Sequence, residues 1–226
     1  MALFALYIAL GDSISIDVYP LHDAQLRYPG KFSTDKLGAA SLLCRNDDKM
    51  WPEFKGRDLQ PMRCLDLTAD GATTVSLLRQ VEQIKPSDEQ TLVTITAGGN
   101  DLLGVIGSPG GNPVPEIAGR LKTAVSRVLE LRPNATVIVG TVYDPSNGTR
   151  RLPGYMRELK REAEWLDEYN DFVRKLVKSD KRLRLADIHQ HFMGHPEWYL
   201  PESIIEPSAR GASEVRRLWL EAIGDA

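Results

Sequence analysis

Several features that direct proteins to particular partners are scarce in this sequence of 226 residues. It has no excess of basic residues, because 28 Lys and Arg stand against 31 Asp and Glu and give a formal net charge of −3. That balance offers no general attraction to phosphate backbones, so nucleic acid is not an expected partner. Hydrophobic residues make up 42% and charged residues 26%, as in an ordinary globular protein. The length predicts one domain over residues 1–226.

Long hydrophobic runs and cysteines are also scarce. The longest apolar stretch, Met1 to Leu10, is about half as long as a membrane-spanning helix needs. Nothing basic precedes Arg27, so this stretch lacks the start of a secretory signal and predicts a buried strand, with the cytoplasm as the expected compartment. The only two cysteines, Cys44 and Cys64, suit neither a zinc site nor a disulfide scaffold. We expect them to be reduced, mostly buried thiols.

Short apolar runs alternate with helical patterns along the chain. The runs are rich in Val, Ile, Leu and Thr and mostly end at Gly, Pro or Asp, which is typical of buried parallel strands. The predicted strands are Leu3 to Leu10, Met62 to Leu67, Thr91 to Ala97, Thr136 to Val142 and Arg184 to Ile188. Apolar residues at helical spacing predict helices over 117–131, 156–176 and 212–223. This alternation predicts an α/β domain with a mainly parallel five-stranded sheet.

Two stretches do not fit the alternation. Residues 17–61 are rich in Pro, Gly and charge and predict a single helix, near Thr34 to Arg45. Residues 188–207 contain three histidines and three prolines just before the last predicted helix. In an open α/β sheet, ligands bind beyond the carboxyl ends of the strands, which is where both stretches emerge. Both are therefore expected to border a functional site.

Three predicted strands end in residues that could support nucleophilic catalysis. The first runs into Gly11–Ser13, Gly-Asp-Ser, where a tight turn would place the Ser13 hydroxyl at the sheet edge. The third ends in Gly98–Asp101, Gly-Gly-Asn-Asp, whose Asn100 amide could donate to an oxyanion. Gly71, after the second strand, could offer its backbone N–H beside Asn100. Each segment could equally be a polar cap of a turn or helix.

Taken together, these segments resemble the SGNH (GDSL-type) hydrolases. Gly-Asp-Ser-Ile at 11–14 is similar to the first sequence block of that family, Gly71 to the second and Gly-Gly-Asn-Asp at 98–101 to the third, in the same order. The resemblance implies a flavodoxin-like three-layer α/β/α sandwich and an ester hydrolase. It also implies that Ser13 is the nucleophile, and that the backbone N–H groups of Ser13 and Gly71 and the side chain of Asn100 form the oxyanion hole.

The last block departs from the family pattern. The family has an Asp and, three residues later, a His-Pro pair before the final helix, whereas this chain has Ser203 and Glu206-Pro207. A free Glu is a weaker base than His by about two pKa units, but burial can raise the pKa of a carboxyl by several units. Glu206, with apolar neighbours in the sequence, could therefore be the general base. It needs no Asp to fix a tautomer.

Loop histidines are the alternative bases. His189, His191 and His195 lie between the last strand and the last helix, and a loop that folds back would bring His195 over Ser13. Asp187 with His189 and His191 could also bind a metal, although alternate loop histidines more often face solvent or form hydrogen bonds. No metal is therefore included in the predicted site.

The sequence as a whole predicts a soluble, cytoplasmic serine hydrolase of small esters. It would work through an acyl-enzyme on Ser13, with Glu206 or one of the loop histidines as the base, and would need no cofactor. The alternative is a catalytically impaired SGNH-like protein that binds a small ligand or a carbohydrate without turnover. A nucleotide-binding domain is disfavoured, because the first strand leads into Gly-Asp-Ser rather than into a glycine-rich phosphate loop.

Overall fold

The computed structural model describes residues 4–59 and 63–224, and its centre is one five-stranded sheet. Neighbouring strands are all parallel, in the order β2-β1-β3-β4-β5. The strands are β1 (Leu6–Gly11), β2 (Arg63–Asp66), β3 (Thr91–Thr96), β4 (Ala135–Gly140) and β5 (Leu183–Ala186). This order is that of flavodoxin-like domains, and it confirms the predicted five-stranded parallel α/β fold. Leu3 and Met62, which begin two of the predicted strands, lie outside the described residues.

Helices cover both faces of the sheet. Those within the described residues are α1 (Val18–Arg27), α2 (Ala39–Cys44), α3 (Thr74–Val81), α4 (Gly99–Leu103), α5 (Val114–Leu131), α6 (Lys160–Leu176), α7 (Ile188–Phe192) and α8 (Ala209–Ile223). Short 3₁₀ turns lie at Pro52–Phe54 and Pro196–Trp198. One core packs α3, α5 and α6 against the sheet, and the other packs α2 and α8 against its opposite face. Because both faces are covered, β1 and β3 are buried along their whole length.

The segment between β1 and β2 differs from its prediction. Helix α1 was not predicted, and α2 is shorter than the helix expected near Thr34 to Arg45. The Asp47 carboxylate accepts the backbone N–H groups of Ser33 and Thr34 at 2.6 and 3.0 Å, which holds the chain before α2 in a turn. Helix α2 can therefore begin only at Ala39. Helix α6 is also shorter than predicted, since residues 156–159 precede its first turn.

The expectation of two reduced, mostly buried thiols is wrong. Cys44, the last residue of α2, and Cys64, in β2, form a disulfide with their Cα atoms 6.4 Å apart. Cys44 is half-buried and Cys64 is exposed. Disulfides are typical of oxidising compartments, and the cytoplasmic location stays a prediction.

Across the described ranges, every helix is too short or too polar to cross a lipid bilayer.

Candidate active site

Ser13 follows β1 in a turn whose backbone is fixed by its neighbours. Gly11 has φ +121°, and a Cβ atom there would lie 1.8 Å from the carbonyl oxygen of Thr96, so only glycine fits. The Gln80 side chain accepts the Gly11 N–H at 2.7 Å and donates to the Gly11 carbonyl at 2.9 Å. The N–H of Asp12 donates to the Thr96 carbonyl at 3.1 Å. These bonds hold the buried Ser13 side chain at the carboxyl end of the sheet.

Asn100 lies in the first turn of α4, directly after β3. Its Nδ2 donates to the carbonyl oxygen of Ala72 at 3.0 Å, which ties α4 to the turn that follows β2. Gly71 immediately precedes Ala72 in that turn and has φ +67°. The fold thus brings the second and third sequence blocks together, as the resemblance implies.

A cavity opens beside Ser13 at this end of the sheet. Within the described part of the chain, its wall includes Asp12, Ser13, Asn100 and Glu206 but not Gly71. Much of the remaining wall is apolar and comes from α4, from the loop after β4 and from the start of α6. Its larger aliphatic residues include Leu102, Leu103, Ile106, Leu152, Leu159 and Leu166. A serine hydroxyl, a carboxyl group and an amide donor therefore share one largely apolar cavity.

Glu206 is held in this wall by bonds to the backbone around it. The Leu200 N–H donates to the Glu206 carbonyl at 3.0 Å, and the Tyr143 hydroxyl donates to the Ile205 carbonyl at 2.6 Å. The Glu206 N–H donates to the carbonyl of Ser203, the residue at the position of the family's Asp, at 2.9 Å. The Glu206 side chain is only 6% exposed. Its position is therefore set by main-chain contacts rather than by an ion pair.

The Glu206 carboxyl has the protonation behaviour of a base that works near neutral pH. Burial raises its pKa to about 7, hydrogen bonding from Ser13 acts in the lowering direction, and the charge of Asp70 raises it further. Its Oε2 atom is buried and has no hydrogen-bond partner among the described residues. The carboxylate can consequently accept a proton from Ser13 without first breaking an ion pair.

Asp12 is a second buried carboxyl in the same wall. Burial raises its pKa to about 7, against the lowering effect of hydrogen bonds from Ile14 and Thr96, and the charge of Glu206 raises it further. The Ile14 N–H donates to Oδ1 of Asp12 at 3.2 Å, so this carboxyl also supports the turn that contains Ser13. The protonation of Asp12 therefore depends in part on the charge of Glu206.

One protein-family model matches most of this sequence. The model of the GDSL-like lipase/acylhydrolase family matches residues 9–213. The chain belongs to the GDSL-like lipase/acylhydrolase family. Family membership supports an ester hydrolase activity. No curated protein matches the sequence.

Solved structures share the fold of this GDSL-like family member at low sequence identity. Axe2, an acetylxylan esterase from Geobacillus stearothermophilus, is 18% identical with a TM-score of 0.67, over 99% of this chain and 97% of that one. The lipase Lip_vut3 from a goat rumen metagenome is 19% identical with a TM-score of 0.66, over 96% of both chains. LAE5, an alpha/beta hydrolase from the metagenome of Lake Arreo, Spain, is 20% identical with a TM-score of 0.65, over 99% and 97%. At such identities the likeness shows the fold alone.

The structure does not bring His195 to the cavity of this GDSL-like chain. The His195 ring stacks on Trp198 with 3.8 Å between ring centroids, and its Nδ1 contacts a carboxylate oxygen of Glu197 at 2.9 Å. His191 contacts Glu214 at 3.1 Å. Neither these residues nor His189 line the cavity in the part of the chain described here. The loop folds onto an aromatic ring instead of over Ser13.

Two of the three suggested metal ligands, Asp187 and His191, bind other side chains. The Asp187 carboxylate accepts two hydrogen bonds from Arg174, at 2.9 and 3.0 Å, and one from Thr141 at 3.0 Å. Between residues 4 and 59 and between 63 and 224, no three His, Cys, Asp or Glu side chains are grouped to hold a metal ion.

Two contributors to the site were missed by sequence reasoning. Gln80, in α3, forms hydrogen bonds with the backbone of Gly11. Tyr143, which follows β4, donates a hydrogen bond to the backbone carbonyl of Ile205, next to Glu206. Tyr143 could have been noted because it follows a predicted strand at the carboxyl edge. Gln80 lies in the last turn of α3 and carries no comparable signal.

Proposed function

We propose that this protein hydrolyses esters through an acyl-enzyme on Ser13, with Glu206 as the general base. The observation that carries the proposal is that Ser13, Asn100 and the buried Glu206 line one cavity. Membership of the lipase/acylhydrolase family supports ester hydrolysis in general. The assignment of the base rests on the geometry and burial of Glu206.

In the acylation step, the Glu206 carboxylate takes the proton of the Ser13 hydroxyl while Oγ bonds to the ester carbonyl carbon. The Asn100 side chain and the backbone N–H groups of Ser13 and Gly71 donate to the oxyanion. The intermediate collapses as the ester C–O bond breaks. The protonated Glu206 then gives its proton to the departing alkoxide.

In the deacylation step, the same carboxylate takes a proton from water, whose oxygen attacks the acyl carbon. Collapse of the second intermediate breaks the bond to Ser13 Oγ and releases the carboxylic acid. Glu206 returns the proton to Ser13, which restores the starting state.

A carboxyl with a pKa near 7 can replace histidine in this role. General bases are most effective when their pKa lies near the working pH, and burial raises the pKa of Glu206 to about 7. A carboxylate has two equivalent oxygens and no tautomers, so no Asp is needed to orient it. Ser203 can therefore stand at the position of the family's Asp.

The test measures hydrolysis of a short p-nitrophenyl ester by the wild type and by Ser13→Ala, Glu206→Ala and His195→Ala. We expect the first two substitutions to remove activity and His195→Ala to leave it within about twofold. The matched control for Glu206→Ala is Glu202→Ala, since Glu202 is half exposed and contacts His22 at 3.4 Å. Turnover that needs Ser13 but survives Glu206→Ala would overturn the assignment of the base.

A protein that binds a ligand without turnover is the second candidate. It is favoured by the absence of histidine from the described cavity wall and by the unpartnered Oε2 of Glu206, which could accept a ligand hydroxyl. The double variant Ser203→Asp/Glu206→His separates the two candidates. Under this candidate the wild type shows no Ser13-dependent turnover and the double variant gains it.

A further inference from the structure

Arg150 differs from the other arginines of its segment in having an unpaired side chain. Arg151 pairs with Glu158 at 3.0 Å, and Arg157 pairs with Glu162 at 3.1 Å. The Arg150 guanidinium is exposed and forms no hydrogen bond or ion pair with any residue in the described ranges. It also lines the cavity that contains Ser13. A free cation therefore borders the proposed site of ester hydrolysis.

The backbone of Arg150 is held in a conformation that L-residues seldom adopt. Its φ is +58°, and among the described non-glycine residues only Asn147 also has a positive φ. Asn tolerates this region well, whereas Arg does not. The Arg150 N–H donates to Ser146 Oγ at 2.9 Å, and its carbonyl accepts the Leu159 N–H at 2.8 Å. Strained residues held in this way cluster at ligand-binding sites.

The other charged groups of the cavity wall are already satisfied or partly neutral. Glu162 is bound by Arg157, and the Asp144 carboxylate accepts the N–H groups of Ser146 and Gly148, each at 2.8 Å. The two buried carboxyls near Ser13 are in part protonated near pH 7. Arg150 is thus the cation of the wall that lacks a partner within the described chain.

We propose that Arg150 is a specificity residue that binds an anionic group, a carboxylate or a phosphate, carried by the ester substrate. Its neighbours in the wall, Leu152 and Leu159, are apolar and would contact the aliphatic part of the same molecule. A guanidinium recognises carboxylate and phosphate through two parallel hydrogen bonds, and it gains most where its charge is otherwise unpaired. This inference rests on the proposed ester hydrolysis at Ser13.

The test compares charged and neutral esters of equal chain length. One series pairs p-nitrophenyl monoesters of dicarboxylic acids, from succinate to suberate, with the neutral monocarboxylic esters, so that the anion lies on the acyl side. A second pair, phenyl butanoate and its para-carboxyphenyl analogue, places the anion on the alcohol side. Each ester is assayed with the wild type, Arg150→Gln, Arg150→Lys and the control Arg151→Gln.

We expect Arg150→Gln to lower kcat/KM by about 10- to 100-fold for the charged member of one series and to change the neutral member by less than about twofold. Arg150→Lys should recover part of the loss, because it restores the charge without the planar fork. Arg151→Gln should change neither member. The advantage of the charged ester in the wild type should fall as salt is added. The series that responds identifies the side of the ester that carries the anion.

An equal effect of Arg150→Gln on charged and neutral esters, or no effect on either, would overturn the inference. If no ester is turned over, the proposed function fails, and Arg150 is still tested by calorimetric titration of glutarate and of an alkyl phosphate into the wild type and Arg150→Gln. Binding of either anion that is lost only in Arg150→Gln would support an anion site in a noncatalytic protein. Equal or absent binding by both proteins would overturn it.

Discussion

Glu206 and Glu214 are both buried, with 6% and 3% of their surfaces exposed, yet their surroundings move their pKa values in opposite directions. Burial raises the pKa of Glu206 to about 7, because no cation in the described chain opposes the effect and hydrogen bonding from Ser13 offsets only part of it. Burial acts on Glu214 too, but hydrogen bonds from His191 and Arg217 and the positive charges near it hold its pKa at about 2. His191 and Arg217 lie 3.1 and 2.9 Å from its carboxylate.

The difference shows that the partners of a buried carboxyl, and not burial alone, decide the pKa values of these two glutamates. Glu162, on the wall of the same cavity as Glu206, is also buried, and hydrogen bonding from Arg157 holds its pKa at about 2. The buried carboxyls beside Ser13, by contrast, have raised pKa values and no cation next to them in the described chain, and perturbed pKa values are typical of catalytic sites. The cavity wall therefore contains one glutamate with a lowered pKa and one with a raised pKa.

The largest expected effect is on turnover. Glu206→Gln keeps the size of the side chain but removes its ability to accept a proton, so kcat should fall by about 10²- to 10⁴-fold. Glu214 does not line the cavity in the described part of the chain, so the matching change Glu214→Gln should alter kcat by less than about threefold. Steady-state kinetics on a p-nitrophenyl ester measure both. Equal losses in the two variants would mean that Glu206 acts only through the fold.

The next effect is on stability, with opposite signs for the two glutamates. The pKa of Glu206 is near 4.5 in the unfolded chain and about 7 in the folded protein. The wild type therefore loses stability as the pH rises between these two values. Glu206→Gln should consequently be more stable than the wild type by about 2 kcal/mol at pH 8. The lowered pKa of Glu214 contributes stability that is fully present above pH 4.5 and is lost as the pH falls from about 4.5 to about 2. Glu214→Gln should therefore be less stable by about 2 kcal/mol at pH 8.

Urea unfolding of the two variants and the wild type at pH 5 and pH 8 measures these differences. The gain from Glu206→Gln should shrink at pH 5, where the wild-type carboxyl is mostly protonated. A Glu206→Gln protein that is less stable than the wild type at both pH values would contradict the predicted cost of the buried charge.

A smaller effect is expected in the dependence of activity on pH. Because Glu206 must be ionised to accept the Ser13 proton, kcat/KM should rise between pH 5 and pH 8 with a midpoint near 7. Asp12, whose pKa burial also raises to about 7, titrates in the same range. Measuring it at two temperatures identifies the group, since the pKa of a carboxyl hardly changes with temperature whereas that of an imidazole falls on warming. A temperature-sensitive midpoint would point to histidine.

The smallest effect is expected from Asp70→Asn. The charge of Asp70 raises the pKa of Glu206, and Asp70 accepts a hydrogen bond from Tyr19 at 3.0 Å. Removing this charge should shift the pH midpoint of kcat/KM downward by a few tenths of a unit. The control Tyr19→Phe removes the hydrogen bond but keeps the charge. If both variants shift the midpoint equally, the loop contact and not the charge of Asp70 sets the effect.

Sequence reasoning succeeded where one local signal was sufficient. The apolar runs located five strands, and the position of Ser13 and Asn100 after two of them placed both residues at one sheet edge. It failed where distant segments decide the outcome. Cys44 and Cys64 meet because α2 packs beside β2, and His195 faces Trp198 because the loop closes on its own aromatic residue. Helix α1 was missed because its pattern is weakly amphipathic within a polar segment.

The sequence by itself determined the parallel α/β fold, the nucleophile turn and the presence of Glu206 in place of the usual histidine. Periodicity and glycine positions are local properties, so they can be read without the fold. Only the tertiary structure decided that Glu206 is buried without a cation, that His191 reaches the buried Glu214 from α7 and that Arg150 is left unpaired beside the cavity. Arg210 and Arg217, which also contact Glu214, lie four and three residues from it on α8, so those two contacts can be read from the sequence. Burial and contacts between groups that are distant in the chain follow from packing alone.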